Sequence, residues 1–312
     1  MKLNHNILES SALLSEHLSI GFFDGVHLGH QRILFPDELK SKEVSHGVLT
    51  FWPHPKASLS DSGSPELLTS FEEKLELLAS LGISECSVIR FNREFSQQTH
   101  QQFLEILSNR FPHLQSLSVG SNFRFGHQRT GSIEDLAHWA KQQTIDFYCP
   151  PLLQISGETI SSSLIRALIV DGDFAKAQSY LGRPYTITGK VVQGQQRGRT
   201  IGFPTANLDI TGLQLPPSGV YAVNAITENQ KHHAVMNIGT NPTFNSQDNV
   251  SEQKVEVHII EFDQSIYGQV LKIEPIHFIR AEKKFTSVSE LRGQIRLDLD
   301  KAKFIFKGIR GS

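Results

Sequence analysis

The chain is predicted to fold as an α/β domain with a parallel sheet, followed by an antiparallel β-barrel with a terminal helix. Three observations carry that expectation. Up to about Gly182, short apolar strands alternate with amphipathic helical segments, the pattern of a parallel sheet covered by helices. Beyond Gly182-Arg183-Pro184, strands follow one another with Gly, Pro and Asn between them, which suits a compact barrel. The length of 312 residues exceeds one average domain. Residues 1–182 and 183–312 are the expected domains.

In the first domain the candidate strands are Leu18–Phe23, Gly47–Phe51, Cys86–Phe91, Leu117–Gly120 and Ile145–Cys149. Between them, Phe71–Leu81 places Leu75, Leu77, Leu78 and Leu81 at helical spacing. Ser70 and Glu73 form a capping box at its start, and Gly82 stops it. Further helices are expected from about Gln98 to Asn109 and from Ile133 to Gln142. In such a sheet a ligand lies beyond the carboxyl ends of the strands. The second domain offers strands at Thr186–Val192, Val220–Ile226, Ala234–Ile238, Val255–Phe262 and Val270–Phe278. Its closing helix begins with a Ser287/Glu290 capping box and puts Val288, Leu291, Ile295 and Leu299 on one face.

Composition narrows the function classes. Hydrophobic residues make up 38% and charged residues 20%, as in ordinary globular proteins. Lys and Arg number 30 against 32 for Asp and Glu, so no global charge draws the chain to nucleic acid or an anionic membrane. Phosphate would have to be held by local basic groups. No stretch approaches the roughly 20 apolar residues of a membrane span, and no signal peptide is evident. Cys86 and Cys149 lack metal-ligand spacing and read as buried free thiols in a reducing cytoplasm. The oligomeric state is left open.

The densest motif is Gly21-Phe22-Phe23-Asp24-Gly25-Val26-His27-Leu28-Gly29-His30, at the end of the first strand. A glycine turn lets a nucleotide approach the backbone, and the helix behind it offers unpaired N–H groups to phosphate. His27 and His30 lie three apart and share a face of a helical turn. Two imidazoles at one phosphate can stabilise charge that develops on it. A lone surface His would more often be structural, but here Gly, Asp and both His occur in one pattern.

This stretch resembles the HxGH nucleotidyltransferases, which implies a Rossmann-like domain, and its full form is similar to the prokaryotic FAD synthetases. Thr50–Pro55 resembles that family's T-F-x-P-H-P segment. Gly120–Gly126, with Arg129 and Gly131, resembles its G-x-D-F-R-F-G flavin-side loop, and Ile160–Arg166 its I-S-S-T-x-I-R phosphate segment. Two positions depart from the pattern: Asn122 replaces Asp and Ser163 replaces Thr. The resemblance implies that Gly21, Phe22, Asp24, His27, His30, Ser162, Ser163 and Arg166 bind ATP. It implies that His54, Asn122, Phe123, Arg124 and Phe125 border the flavin.

Arg197–Asn207 is the second dense motif, a basic Gly-rich stretch ending in Pro204-Thr205-Ala206-Asn207. Backbone N–H groups and guanidinium charge in such a loop suit phosphate. No G-x-x-x-x-G-K-[ST] occurs, so a standard P-loop is excluded. The stretch resembles the riboflavin kinase signature. That implies ATP contacts at Gly198, Arg199, Gly202, Pro204, Thr205 and Asn207, with Thr205 and Asn207 as oxygen ligands of Mg²⁺. Pro217–Tyr221 and Asn237–Phe244 match further segments of that family. Val255–Ile260 resembles the strand carrying its catalytic base. On a strand, Glu256 and His258 point away from Val255, Val257 and Ile259; Glu256 is the implied base, and His258 reads as structural. Arg280 and Phe285 match a flavin-side segment.

Together the segments resemble the bifunctional riboflavin kinase/FMN adenylyltransferase family. The implied chemistry uses ATP twice, making FMN from riboflavin and then FAD. Two alternatives stand beside it: an HxGH enzyme of another specificity, which leaves the barrel motif unexplained, and a flavin-binding protein without turnover.

Overall fold

In a computed structural model the chain is described at residues 1–8, 13–39, 43–59, 65–194, 198, 201–228, 230–241 and 252–310. Contacts divide it into two compact units, Met1–Ile165 with Tyr180–Gly182, and Arg166–Ser179 with Arg183–Ser312. The chain leaves the first unit at Gly182. However, Arg166–Ser179, which a boundary at Gly182 places in the first domain, clusters with the second unit, where Phe174 stands 6.1 Å from the Tyr221 ring.

The elements up to Gly182 begin with β1 (Lys2–Asn4), β2 (His17–Ile20), α1 (Leu28–Leu34), β3 (His46–Trp52) and α2 (Pro55–Leu59). Then come α3 (Phe71–Ser80), β4 (Glu85–Arg90), α4 (His100–Arg110), β5 (Ser116–Val119), α5 (Ile133–Gln142) and β6 (Asp146–Tyr148). A short hairpin of β7 (Gln154–Ile155) and β8 (Glu158–Thr159) precedes α6 (Ser162–Asp171) and α7 (Phe174–Leu181). The main sheet has the order β1-β4-β3-β2-β5-β6, and every pair is parallel. The chain runs from β2 outward on one side, then returns to β5 on the other, so the topological switch lies beside β2. β1 was not anticipated; three residues give too little pattern to read.

Leu18, Ile20, Leu117 and Val119 face a core built with Phe103, Leu107, Leu136 and Trp139. The opposite face of the same strands carries His17, Ser19, Ser116 and Ser118. His17 bonds Ser116 Oγ at 2.8 Å and Ser118 Oγ at 3.1 Å, and Ser118 Oγ donates to the Ile33 carbonyl of α1 at 2.7 Å. This buried network ties α1 to the sheet, because polar groups without water must find partners inside. Burial, with His46 adding to it, lowers the His17 pKa to about 3. Ser70 caps α3 as expected, accepting from the Glu73 N–H. Reciprocal capping boxes occur instead at Thr99/Gln102 and Ser132/Asp135. Cys86 is buried and Cys149 only partly so; both are free thiols.

The second unit closes a barrel of β9 (Ile187–Val192), β10 (Ala206–Asp209), β11 (Gly219–Thr227), β12 (Gln230–Asn241), β13 (Glu252–Ile259) and β14 (Val270–Arg280). The order is β10-β13-β12-β11-β14-β9, all antiparallel, with β9 pairing β10 to complete the ring. β10 was unforeseen. Its four residues, Ala-Asn-Leu-Asp, have little strand propensity, and pairing on both sides overrides that. The terminal helix α8 (Val288–Arg310) lays Ala302 and Phe306 against Val220, Ala222 and Ile279 on the outer barrel face. Ser287 caps it, but the Glu290 carboxylate accepts from the Thr286 N–H rather than that of Ser287. Val288, expected on the packed face, is 60% exposed, because the contacting stripe runs through Asp298, Ala302 and Phe306. Among the described residues no helix is long and apolar enough to cross a membrane.

Candidate active sites

The first site forms where β2 ends. The Gly21 N–H closes onto the Leu49 carbonyl of β3 at 3.1 Å. The chain then turns through left-handed conformations at Phe23 (φ 57°) and Gly25 (φ 78°). A side chain at Gly25 would be strained by that φ and would meet Leu68 at 2.8 Å. Asp24, 5% exposed, holds the turn by accepting from the Leu68 N–H at 2.9 Å. Asp24 thus shapes the turn.

His27 lies just before α1 and caps it, its Nδ1 accepting from the His30 N–H at 3.2 Å. The two His rings stack at 3.5 Å, 17° from parallel. That differs from the expectation of two histidines within one helical turn: His27 is the N-cap. His30 Nδ1 is buried and has no hydrogen-bond partner among the described residues. Burial, the stacked His27 and the ammonium of Lys74 hold His30 well below the ordinary imidazole range, so it is neutral.

Ser161 caps α6 by accepting from the Leu164 N–H, and Ser162 Oγ donates to the Asp24 carbonyl at 3.1 Å. The phosphate segment is therefore joined to the histidine turn. Ser163 and Arg166 continue along α6. His54 packs edge-on against the Phe22 ring at 4.3 Å, beside the same turn.

In the Asn122–Phe125 loop, Asn122 and Arg124 are exposed, and Phe123 stacks on Phe125 at 5.8 Å. Phe125 is 6% exposed and packs on Phe103 at 5.2 Å. Of the residues expected to border the flavin, Phe125 thus packs its ring into the core, and the backbone bridge between Phe125 and Gly131 fixes the loop there. Sequence reasoning missed Lys74 and noted Thr50 only as the first residue of the Thr50–Pro55 segment. Lys74 Nζ donates to the Phe22 carbonyl at 3.1 Å and to Thr50 Oγ1 at 3.2 Å. Burial lowers the Lys74 pKa to about 8, against the opposing pull of Cys86 and Asp24.

The second site is a rung across the barrel. Asn207 on β10 pairs with Glu256 on β13, and Glu256 pairs with Asn237 on β12. Directly opposed residues share a face, so the three side chains lie on the outer side while Val255 and Val257 fill the interior. Asn207 therefore belongs to a strand, not to a loop as the motif suggested. Before it, Gly198 accepts from the Phe203 N–H at 2.8 Å, Gly202 makes a turn, and Pro204 and half-buried Thr205 follow. Arg199, with Arg197 and Thr200, lies outside the described residues, as do Pro242, Thr243 and Phe244.

His258 is more than a bystander. Its Nδ1 bonds the Pro204 carbonyl at 2.7 Å, pinning the segment that carries Thr205 to the strand that carries Glu256. Gly194 faces the Asn207 amide so closely that any Cβ would collide with it. Glu282 reaches the same face, its Oε1 2.6 Å from where a Gly239 Cβ would stand. Asn237 was noted only as part of the Asn237–Phe244 segment and Gly194 not at all, because their placement beside Glu256 and Asn207 comes from the fold, not from spacing. Arg280 pairs bidentately with buried Asp298 of α8, Nη2 to Oδ2 at 2.8 Å, and stands 5.7 Å over the Phe285 ring. Its guanidinium is thus committed to the helix.

Two units, each with its own phosphate-suited polar cluster, define a two-domain nucleotide-handling protein. Residues 10–164 match the FAD synthetase family model and residues 181–306 the riboflavin kinase model. The Bacillus subtilis bifunctional riboflavin kinase/FMN adenylyltransferase is 35% identical over 98% of this chain and 97% of its own. The Haemophilus influenzae enzyme of that name is 35% identical (93% and 94% covered), and the Escherichia coli one 36% identical (90% of each). A crystal structure described as a macrolide-efflux protein from Streptococcus pneumoniae superposes with a TM-score of 0.80 at 29% identity, covering 96% of this chain and 98% of that one. The chain belongs to the bifunctional riboflavin kinase/FMN adenylyltransferase family, whose members are enzymes of flavin-cofactor synthesis.

Proposed function

We propose that this chain phosphorylates riboflavin with ATP in residues 183–312 and adenylylates FMN with a second ATP in residues 1–182. The observation that carries the reading is that each family match contains its own complete polar constellation, the His27–His30 turn in one and the Asn207–Glu256 rung in the other.

In the kinase step Glu256 takes the proton of the riboflavin 5′-hydroxyl as that oxygen bonds the γ-phosphorus and ADP leaves. Asn207 and Asn237 flank the carboxylate and hold its orientation. Thr205 and Asn207 are the residues that would hold Mg²⁺. A hydroxyl and an amide oxygen are the hard donors this ion takes, and the lack of a side chain at Gly194 lets the Asn207 amide lie against the backbone there. When bound, the ion would offset phosphate charge. Phe285 offers its ring to the flavin, with Arg280 supporting it from behind.

In the adenylyl step an FMN phosphate oxygen bonds the α-phosphorus of ATP, and the bond to the β-phosphate oxygen breaks, releasing pyrophosphate. His30, being neutral, serves as a hydrogen-bonding group, and Arg166 supplies positive charge. His27 orients His30 by stacking and by capping α1. Ser162 and Ser163 approach the phosphates, while His54, Asn122, Phe123 and Arg124 border the flavin. We place the protein in the cytoplasm, where free thiols stay reduced, with riboflavin, FMN and ATP as its small-molecule partners.

The test is incubation with riboflavin, ATP and Mg²⁺ followed by chromatography. FMN and FAD are both expected, and the absence of both sinks the reading.

A further inference from the structure

Lys74 is 2% exposed, and no sequence motif pointed to it. Its ammonium bonds the Phe22 carbonyl and Thr50 Oγ1, and Thr50 Oγ1 itself donates to the same carbonyl at 3.2 Å. Three aromatic rings surround it: Phe22 at 4.4 Å, Phe71 at 5.5 Å and Trp52 at 5.6 Å. The cation thus sits in a cage at the carboxyl ends of β2 and β3, directly under the turn that leads to His30. Burying an ammonium costs far more than burying a methylene chain. The neutral hydrogen-bond acceptors and ring faces offset part of that cost. A Met of similar length would fill the space without it, so packing alone does not explain the charge.

We propose that Lys74 is a positioning residue of adenylyl transfer, its ammonium clamping the ends of β2 and β3 so that the Gly21–Asp24 turn holds its reactive shape. This rests on the adenylyl-transfer reading above. A second effect accompanies the clamp. The positive charge disfavours protonation of His30, which also feels His27 stacked against it. The groups acting on Lys74 itself are Asp24 in the turn and Cys86 on β4. Lys74 keeps its proton at neutral pH and loses it as pH rises through about 8, so the clamp weakens on the alkaline side.

The experiment measures FAD formation from supplied FMN and ATP by the full chain between about pH 4 and pH 9.5, with riboflavin phosphorylation as a parallel readout. Lys74→Met is expected to lower kcat for FAD formation roughly tenfold or more, as small misplacements of a turn do. Its acid limb should move to higher pH, because His30 protonates more readily once the cation is gone. Lys74→Arg should move the alkaline limb upward, since a guanidinium stays charged there. Thr50→Val removes one bond of the clamp but leaves the charge, so it should lower the rate less and leave both limbs in place.

A Lys74→Met enzyme with wild-type limbs would overturn the proposal, as would equal loss of both reactions alongside a lowered Tm. If Lys74→Met does not fold, an alkaline limb unchanged in Lys74→Arg overturns it instead. Wild-type protein that makes FMN but no FAD would refute the adenylyl reading itself, a result distinct from any of these.

Discussion

At the end of the parallel sheet the proposed site is sunk into protein, whereas on the barrel it stands at the surface. His27 is 4% exposed and Asp24 5%, and both sit in a turn with left-handed backbone at Phe23 and Gly25. Asn207, Glu256 and Asn237 are half-buried on regular strands, and their proximity is a matter of register. The difference teaches two ways of placing a reactive group. A buried turn must find partners for most of its polar atoms inside the protein and therefore recruits distant ones, here Leu68, Thr50 and Lys74. A strand face needs only correct pairing, since a register slip by one residue would turn Glu256 into the barrel.

The largest expected effect tests whether the two sites are independent. Glu256→Gln should slow FMN formation about 10³-fold, the scale of a lost general base, while FAD formation from supplied FMN stays near wild type. Loss of both in a folded protein would break the comparison. His30→Ala is the converse. FAD formation should fall roughly 10²-fold with loss of a transition-state hydrogen bond, and FMN formation should persist, both read by chromatography.

Smaller effects sharpen the contrast between sunk and open. The His17 pKa is about 3 in the folded chain against 6.5 for the ordinary group. The unfolded chain therefore binds the proton first. The stability that His17 contributes is complete above about pH 6.5 and is lost as pH falls toward 3, by up to about 1.4 kcal/mol per pH unit. Urea unfolding of the sheet unit at pH 7 and pH 5.5 (about one unit below the ordinary His value) should show that slope, and His17→Gln should flatten it. A slope unchanged in the variant would assign the acid sensitivity elsewhere. The smallest effect is at the open site. His258→Ala removes one hydrogen bond to Pro204, worth about 1 kcal/mol, so KM for ATP should rise severalfold with kcat little changed. A dominant fall in kcat would instead give His258 a part in the chemistry.

Much of this was legible along the chain. Period-two and helical patterns announced five of the six strands of the sheet, the helices from Phe71, Gln98 and Ile133, and five strands of the barrel. The capping residues Ser70 and Ser287 were found from their own neighbours. What escaped was short or non-local. β1 (Lys-Leu-Asn) and β10 (Ala-Asn-Leu-Asp) are short and rich in polar residues, without the paired large apolar residues that mark β2 or β5, and exist because neighbours pair with them. Phe125 could be read as a stacking ring or a core ring, and Phe103 made it core. Arg280 was read from its motif alone, and its pairing with Asp298, eighteen residues away, was not visible there.

The sequence by itself determined the two-part plan, the residues of the Gly21–His30 turn and the Pro204–Asn207 segment, and the family. These are encoded by neighbours within a few positions, where residue type and spacing act directly. Only the tertiary structure decided that His30 is neutral, that Lys74 lies caged beneath its turn, that Asn237 stands opposite Glu256 and that His258 holds the Pro204 carbonyl. Burial and field come from groups far apart in sequence. Lys74 meets Phe22 across 52 positions and His258 meets Pro204 across 54, and no local pattern records such meetings.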